Sequence, residues 1–170
     1  MEENKTLLNE VASDSYDAAD RPFDFMTEQG ETALVCESES SVKDKICRSL
    51  KSLGYSVKEA ESVRDALKKM RFHVFDVILI DAGFDAGNGV QELLGSLELL
   101  DMSIRRRIFV VLIGDSFRTM DNMAAFHRSV NLVVNSGDLG EIAAILKRGV
   151  QENKIFYHTY MESLRNTGRT

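Results

Sequence analysis

Four short, uninterrupted apolar runs constrain the fold of this chain more than any other feature. Ala33-Leu34-Val35-Cys36, Val77-Ile78-Leu79-Ile80, Phe109-Val110-Val111-Leu112-Ile113 and Leu132-Val133-Val134 are of strand length and rich in β-branched residues. A strand with one wet face alternates apolar and polar residues, whereas a continuous run needs cover on both faces, the situation of a parallel sheet between helices. The intervening stretches carry helical spacing. Ser40 is placed to cap a helix with Val42, Ile46, Leu50 and Leu53 on one stripe, and Gly54 supplies a left-handed stop. Ser62-Val63-Arg64-Asp65 imitates a capping box ahead of Ala66, Leu67 and Met70. Val90, Leu93, Leu94 and Leu97 mark a third helix, Met120, Met123, Ala124 and His127 a fourth, and a last one starts near Asp138. With Tyr55-Ser56-Val57 as the second strand, a strand–helix unit recurs five times. Right-handed crossovers then put helices on both faces of a five-stranded parallel sheet.

The 170 residues are 44% hydrophobic, enough for a core, so disorder along the whole chain is excluded. Charge is distributed unevenly. The net charge of -6 comes entirely from residues 1–31, which hold nine acids against two bases, while the rest, with 18 acids against 19 bases, is nearly neutral. Residues 1–31 are therefore read as an acidic, mobile leader, in which Phe23-Asp24-Phe25-Met26 offers a short docking element. Residues 32–148 form the body and 149–170 an extension of the last helix. A neutral body lacks the concentrated basic face that phosphate backbones require, so nucleic acid is not an expected partner. Residues 1–8 have neither a basic stretch nor an apolar one, and the longest apolar run, 108–113, is far too short for a bilayer. The expectation is a cytoplasmic chain without membrane contact. Cys36 and Cys47 stand outside any C-x-x-C pair and are expected as buried free thiols, and the three histidines show no metal-ligand spacing.

An open parallel sheet presents its working loops at the carboxyl ends of the strands. Those turns are Cys36-Glu37-Ser38-Glu39, Ile80-Asp81-Ala82-Gly83, Ile113-Gly114-Asp115-Ser116 and Val134-Asn135-Ser136. Glu37, Glu39 and Asp81 can converge there with no basic residue among them. Like charges so placed raise one another's pKa or call for a cation.

With these residues in place, the chain resembles the receiver domain of bacterial response regulators over residues 32–148. Glu37-Ser38-Glu39 look like that family's acidic cluster, Gly54-Tyr55 like its turn into the second strand, and Phe75-Asp76-Val77-Ile78-Leu79-Ile80-Asp81 like the strand bearing the phospho-acceptor. Asn88-Gly89 falls where the family usually has Asp-Gly. The resemblance implies a flavodoxin-like three-layer α/β sandwich of strand order 2-1-3-4-5. It also implies Asp81 as acceptor of phosphate from a histidine kinase on a magnesium-loaded site.

Several positions depart from the family pattern. Ser38 replaces the second acid, which in the family is a direct magnesium ligand, and a hydroxyl substitutes poorly for a carboxylate there. The switch hydroxyl aligns with Ile113 or Gly114, neither of which has a side-chain donor. The lysine that ends the family's fifth strand aligns with Asn135, followed by Ser136 in place of proline, and the aromatic switch position is Leu132. Asp85 stands where proline is common. In the plain structural reading Asp81 is a solvated or capping carboxylate, Glu37 and Glu39 form a solvated acidic turn, and Asn135 or Ser136 caps the last helix. The preferred reading is a receiver-like signalling domain with a decayed phosphotransfer site. It would act as a phosphorylation-independent protein-interaction module with no enzymatic activity and no cofactor. The alternative is a working two-component receiver phosphorylated on Asp81, with magnesium on Glu37, Glu39 and Asp81. A flavin or nucleotide binder on the same fold is disfavoured by the lack of a glycine-rich phosphate loop.

Arg105-Arg106-Arg107 precedes the fourth strand and reads as a solvated loop at the opposite rim; His127 reads as a surface residue, and Met102, Met120, Met123 and Met161 as gap-fillers. The last helix outruns its sheet. Leu139, Ile142, Leu146, Val150, Tyr157, Tyr160 and Leu164 keep a three-and-four spacing as far as Gly168. Roughly 28 helical residues would extend about 42 Å. The stripe Phe156, Tyr157, Tyr160, Met161 and Leu164 then folds back on the body, pairs with a second copy in a homodimer, or meets another protein partner; the dimer is the expectation.

Overall fold

The computed structural model describes residues 30–85 and 87–168, and the expectations for residues 1–29 lie outside them. β1 (Thr32–Cys36) is followed by α1 (Ser40–Ser52), β2 (Ser56–Ala60), α2 (Val63–Phe72), β3 (Val77–Asp81) and α3 (Gly89–Glu98). A short α4 (Met102–Arg105), β4 (Phe109–Ile113), α5 (Asn122–His127), β5 (Leu132–Val134), a 3-10 segment (Ser136–Glu141) and the long α6 (Ile142–Asn166) complete the chain. All strand pairs are parallel in the order β2-β1-β3-β4-β5. This is the flavodoxin-like arrangement, with a long C-terminal helix.

Strand residues alternate between two cores. Leu34, Cys36, Ile78, Ile80, Val110, Leu112 and Val133 pack with α2, α3 and α5, while Ala33, Val35, Leu79, Phe109, Val111, Ile113 and Val134 pack with α1 and α6. Both faces of β1, β3 and β4 are thereby dry, which is why their sequences are continuously apolar; each fully buried large side chain contributes about 1.5–3 kcal/mol. Cys36 and Cys47 are buried free thiols, and burial pushes Cys36 up to about 12 and Cys47 to about 11.

Local signals fare unevenly. Gly54 takes φ +93°, the left-handed stop, and Ser62 accepts from the Asp65 N–H (3.1 Å) at the start of α2. Ser40, however, is the first residue of α1 and Glu39 is the cap residue, without a capping side-chain bond. β2 starts after Tyr55 and runs on through Lys58 and Glu59. As an edge strand it is half wet, so it tolerates the polar residues that hid it in the sequence. The fourth helix is only six residues long and is capped by Asp121. It buries Ala125 and exposes Met123 and Phe126, one step off the expected stripe. Met120 precedes it in left-handed backbone, and α4 was not foreseen. Met102 and Met123 are exposed rather than gap-filling, and His127 is exposed as expected. The 3-10 segment takes the first turns assigned to the last helix, leaving α6 with 25 residues. Among the described residues no helix is long and apolar enough to cross a membrane.

Candidate functional site at the carboxyl edge of the sheet

β1 and β3 are central neighbours, with Cys36 opposite Ile80, so their outgoing turns open side by side. Glu37 is only 6% exposed, and its Oε1 accepts the Glu39 N–H at 2.8 Å. Burial holds its pKa above the ordinary carboxylate range, and the negative charges of Asp81 and Glu39 add to this against the backbone N–H groups of Glu39 and Ser38. Asp81 ends β3 opposite Ile113, and its Oδ2 accepts the Gly83 N–H at 2.7 Å. Its pKa is also raised, first by burial and then by Asp115 and Glu39. Asp115 is thus a further carboxylate of this rim, beside the predicted Glu37, Glu39 and Asp81. Its signal was its position two residues beyond the apolar run Phe109–Ile113, which forms the strand adjoining β3. The exposed Glu39 carboxylate instead accepts from the Ser41 hydroxyl (2.5 Å) at the start of α1.

The remaining positions are committed to neighbouring loops. The Ser38 hydroxyl accepts from the Asp85 N–H (3.4 Å), while Asp85 Oδ2 accepts the Val63 N–H (2.7 Å) and so caps α2. Asp85 holds φ +55° to do this. Ile113 is buried in the core against α1 and α6. At Gly114 a Cβ would lie 3.0 Å from the Phe117 ring and 3.2 Å from the Ala82 Cβ, so Phe117 occupies the space a side chain would need. Leu132 is buried between β4 and α6, where a Cβ on Gly149 would approach it to 3.3 Å.

Asn135 makes the most connections. Its Oδ1 accepts the Gly137 N–H (2.8 Å), capping the 3-10 segment rather than the α-helix proper. Its Nδ2 donates to the carbonyls of Asp115 (3.0 Å) and Phe117 (2.7 Å), and its N–H donates to Thr119 Oγ1 (2.9 Å). The Thr119 hydroxyl in turn donates to the Asp138 carboxylate. The ends of β4 and β5 are thereby tied by a neutral amide.

Among the described residues no three of His, Cys, Asp and Glu are gathered to hold a metal ion. The candidate magnesium donors are each partly engaged by local hydrogen bonds. Glu37 and Asp81 each accept a backbone N–H, Glu39 is held at its own helix, and the Ser38 hydroxyl faces the Asp85 amide.

The opposite rim departs from expectation. Arg105 is not a solvated residue: its guanidinium donates to the carbonyls of Ile108 (3.0 Å) and Ser129 (2.9 Å) and to Asn131 Oδ1 (3.3 Å). Arg106 lies over the Tyr160 ring, 4.4 Å from its centroid. The aromatic stripe of α6 is consequently split. Tyr157 and Met161 turn toward the body, Tyr160 packs under Arg106, Leu164 is half-buried, and Phe156 stays 78% exposed beside Ile155.

Comparison with known proteins adds the following. No family model and no curated protein matches the chain. Solved structures do. The receiver domain of a Francisella response regulator matches at TM-score 0.58 and 16% identity, over 73% of this chain and 99% of its own. A CheY-like receiver domain protein from Methanospirillum hungatei gives 0.58 and 15%, over 73% and 96%. The Vibrio cholerae chemotaxis regulator CheY4 gives 0.54 and 18%, over 71% and 98%. At such identities the match speaks for architecture, and on that ground the chain has the fold of response-regulator receiver domains.

Proposed function

We propose that this chain is a receiver-like signalling module whose phosphotransfer site has decayed and which works by protein interaction without phosphorylation, catalysis or a metal. The observation that carries the proposal is Asn135. Where the resemblance implies a lysine to neutralise an acylphosphate, this chain has an amide whose donors are committed to the Asp115 and Phe117 carbonyls. An uncharged, occupied group offers no electrostatic stabilisation to a developing phosphoryl charge. The filled space at Gly114 and the Ser38–Asp85 contact support the same reading.

A second reading, a working receiver, is favoured by Asp81 itself, which ends β3 with only its Oδ2 engaged by Gly83. Incubation with acetyl phosphate and Mg²⁺ followed by intact-mass measurement separates the two. We expect no added phosphoryl group; a phosphorylated species that vanishes in Asp81→Asn would establish the working receiver instead.

The proposed partner contact is a second copy through the exposed Ile155 and Phe156 of α6, in a cytoplasmic setting. Light scattering should show a dimer that Phe156→Glu dissociates, and a monomeric wild type would refute it.

A further inference from the structure

The rim opposite the carboxylates holds a cleft of about 670 Å³ between α6 and the amino-terminal ends of β1, β3 and β4. Along α6, Lys154, Tyr157, Met161 and Arg165 stand three or four residues apart, so they share one face, and all four line the cleft. Two contacts hold the helix against the strand ends. Lys154 Nζ pairs with Glu31 (2.5 Å) just before β1, and the Arg106 guanidinium lies 4.4 Å from the Tyr160 ring centroid ahead of β4. Val74, Met161 and the Tyr157 ring supply apolar lining.

Donors and acceptors in this cleft are unequally available. Asp76 Oδ2 accepts the Thr32 N–H (2.7 Å) and hydroxyl (3.2 Å), Asn153 Oδ1 accepts from Asn131 Nδ2 (3.3 Å), and Glu31 is held by Lys154. Arg107 and Arg165 are exposed, and among the described residues neither guanidinium has a hydrogen-bond or ion-pair partner. Each guanidinium presents N–H donors and no acceptor. Four cations, Arg106, Arg107, Lys154 and Arg165, stand against two carboxylates, Glu31 and Asp76, an excess of two positive charges before any on His158. What completes such a cleft is a dianion rich in acceptor oxygens. A phosphate monoester brings both charges in one group at neutral pH and matches the guanidinium fork bidentately. The volume is that of a small-molecule site, about 300–1,000 Å³, and the nearly neutral body lacks the extended basic face that a nucleic acid needs.

We propose that this cleft binds a small molecule carrying a phosphate monoester on an aromatic or alicyclic body, with Arg107 and Arg165 holding the phosphate and the Tyr157 and Met161 face of α6 holding the body. No bond is made or broken in the cleft; the step is binding alone. The proposal is independent of whether Asp81 is phosphorylated.

The test is isothermal titration calorimetry on the full chain with three probes, phenyl phosphate, inorganic phosphate and phenol, in wild type and in Arg107→Ala, Arg165→Ala and Arg148→Ala. Arg148 is the control, a cation of the same helix that pairs with Glu152 (2.8 Å) and does not line the cleft. We expect saturable binding of phenyl phosphate at millimolar concentration or below, with inorganic phosphate about tenfold weaker for want of a body to bury and phenol without measurable binding. Arg107→Ala and Arg165→Ala should each weaken phenyl phosphate about fivefold, and Arg148→Ala should leave it unchanged. An unaltered melting temperature verifies that each variant is folded. No saturable binding of phenyl phosphate to the wild type would overturn the proposal, as would full affinity in the Arg107 and Arg165 variants. An equal loss in Arg148→Ala would also overturn it, by assigning the effect to overall charge, and inorganic phosphate binding as tightly as phenyl phosphate would remove the aromatic or alicyclic body from it.

Discussion

The two rims of this sheet are built from similar means and arrive at opposite electrostatics. At the carboxyl edge, Glu37, Glu39 and Asp81 sit in turns without a basic residue and Asp115 adds a further carboxylate; these turns are closed by hydrogen bonds from the Asn135 amide to the Phe117 carbonyl, from the Asp85 N–H to the Ser38 hydroxyl and from the Gly83 N–H to the Asp81 carboxylate. At the amino edge, a guanidinium does the tying, and a lining of arginines is left facing a cleft. The difference teaches where ligand capacity lies. The first rim ties its loops with amide and hydroxyl groups and leaves its carboxylates partly engaged, whereas the second retains charge that its own body does not neutralise.

The strongest challenge to the picture of α6 as docked on the body is Gly149, where a Cβ would lie 3.0 Å from the Phe109 ring. Gly149→Leu should overpack that crossing and cost about 3 kcal/mol in urea denaturation. A neutral result would mean that α6 is held elsewhere. Next come the ties of the two rims. Arg105→Ala removes three charge-assisted bonds and should cost about 2–3 kcal/mol, and Asn135→Ala about 1–2 kcal/mol, both read by chemical denaturation. If Asn135→Ala proved the costlier, the neutral rim would be the better anchored one. Asp85→Ala should cost about 1 kcal/mol by removing the cap on Val63.

The smallest effect belongs to the carboxylates. Burial raises the pKa of Glu37 and Asp81 in the folded chain, so the native state binds more protons than the unfolded state just above the ordinary carboxylate range. Their contribution to stability should therefore be fully present below that window and fall as pH rises through it. Asp81→Asn, which relieves repulsion from Asp115 and Glu39, should leave the melting temperature at pH 7 unchanged or slightly higher, within about 0.5 kcal/mol, and flatten its pH dependence. A loss of several degrees would show that the Asp81 charge is structurally needed.

Much of the architecture was legible because burial on both faces leaves a one-dimensional trace. The apolar runs at 33–36, 77–80, 109–113 and 132–134 located four strands, and Gly54 and Ser62 punctuated the helices through backbone chemistry that acts within a few residues. The edge strand β2 was truncated, and the stripe of α5 misplaced by a residue, because a half-wet strand and a six-residue helix leave too short a pattern for periodicity to phase. At the site, the sequence placed Glu37 and Asp81 at the right edge and offered Asn135 or Ser136 as a cap of the last helix, whereas Asn135 caps the 3-10 segment before it.

What residues 32–166 determine by themselves is thus the alternation of strands and helices, set by side-chain hydrophobicity and local backbone preference, both encoded position by position. Only the tertiary structure decided what the polar groups do. The Ser38 hydroxyl meets the Asp85 amide 47 residues away, the Asn135 amide reaches back to Phe117, and Lys154 finds Glu31 across 123 residues. Such pairings depend on chain crossings that bring distant turns to one rim, and a single hydrogen bond has no periodicity by which a sequence could announce it.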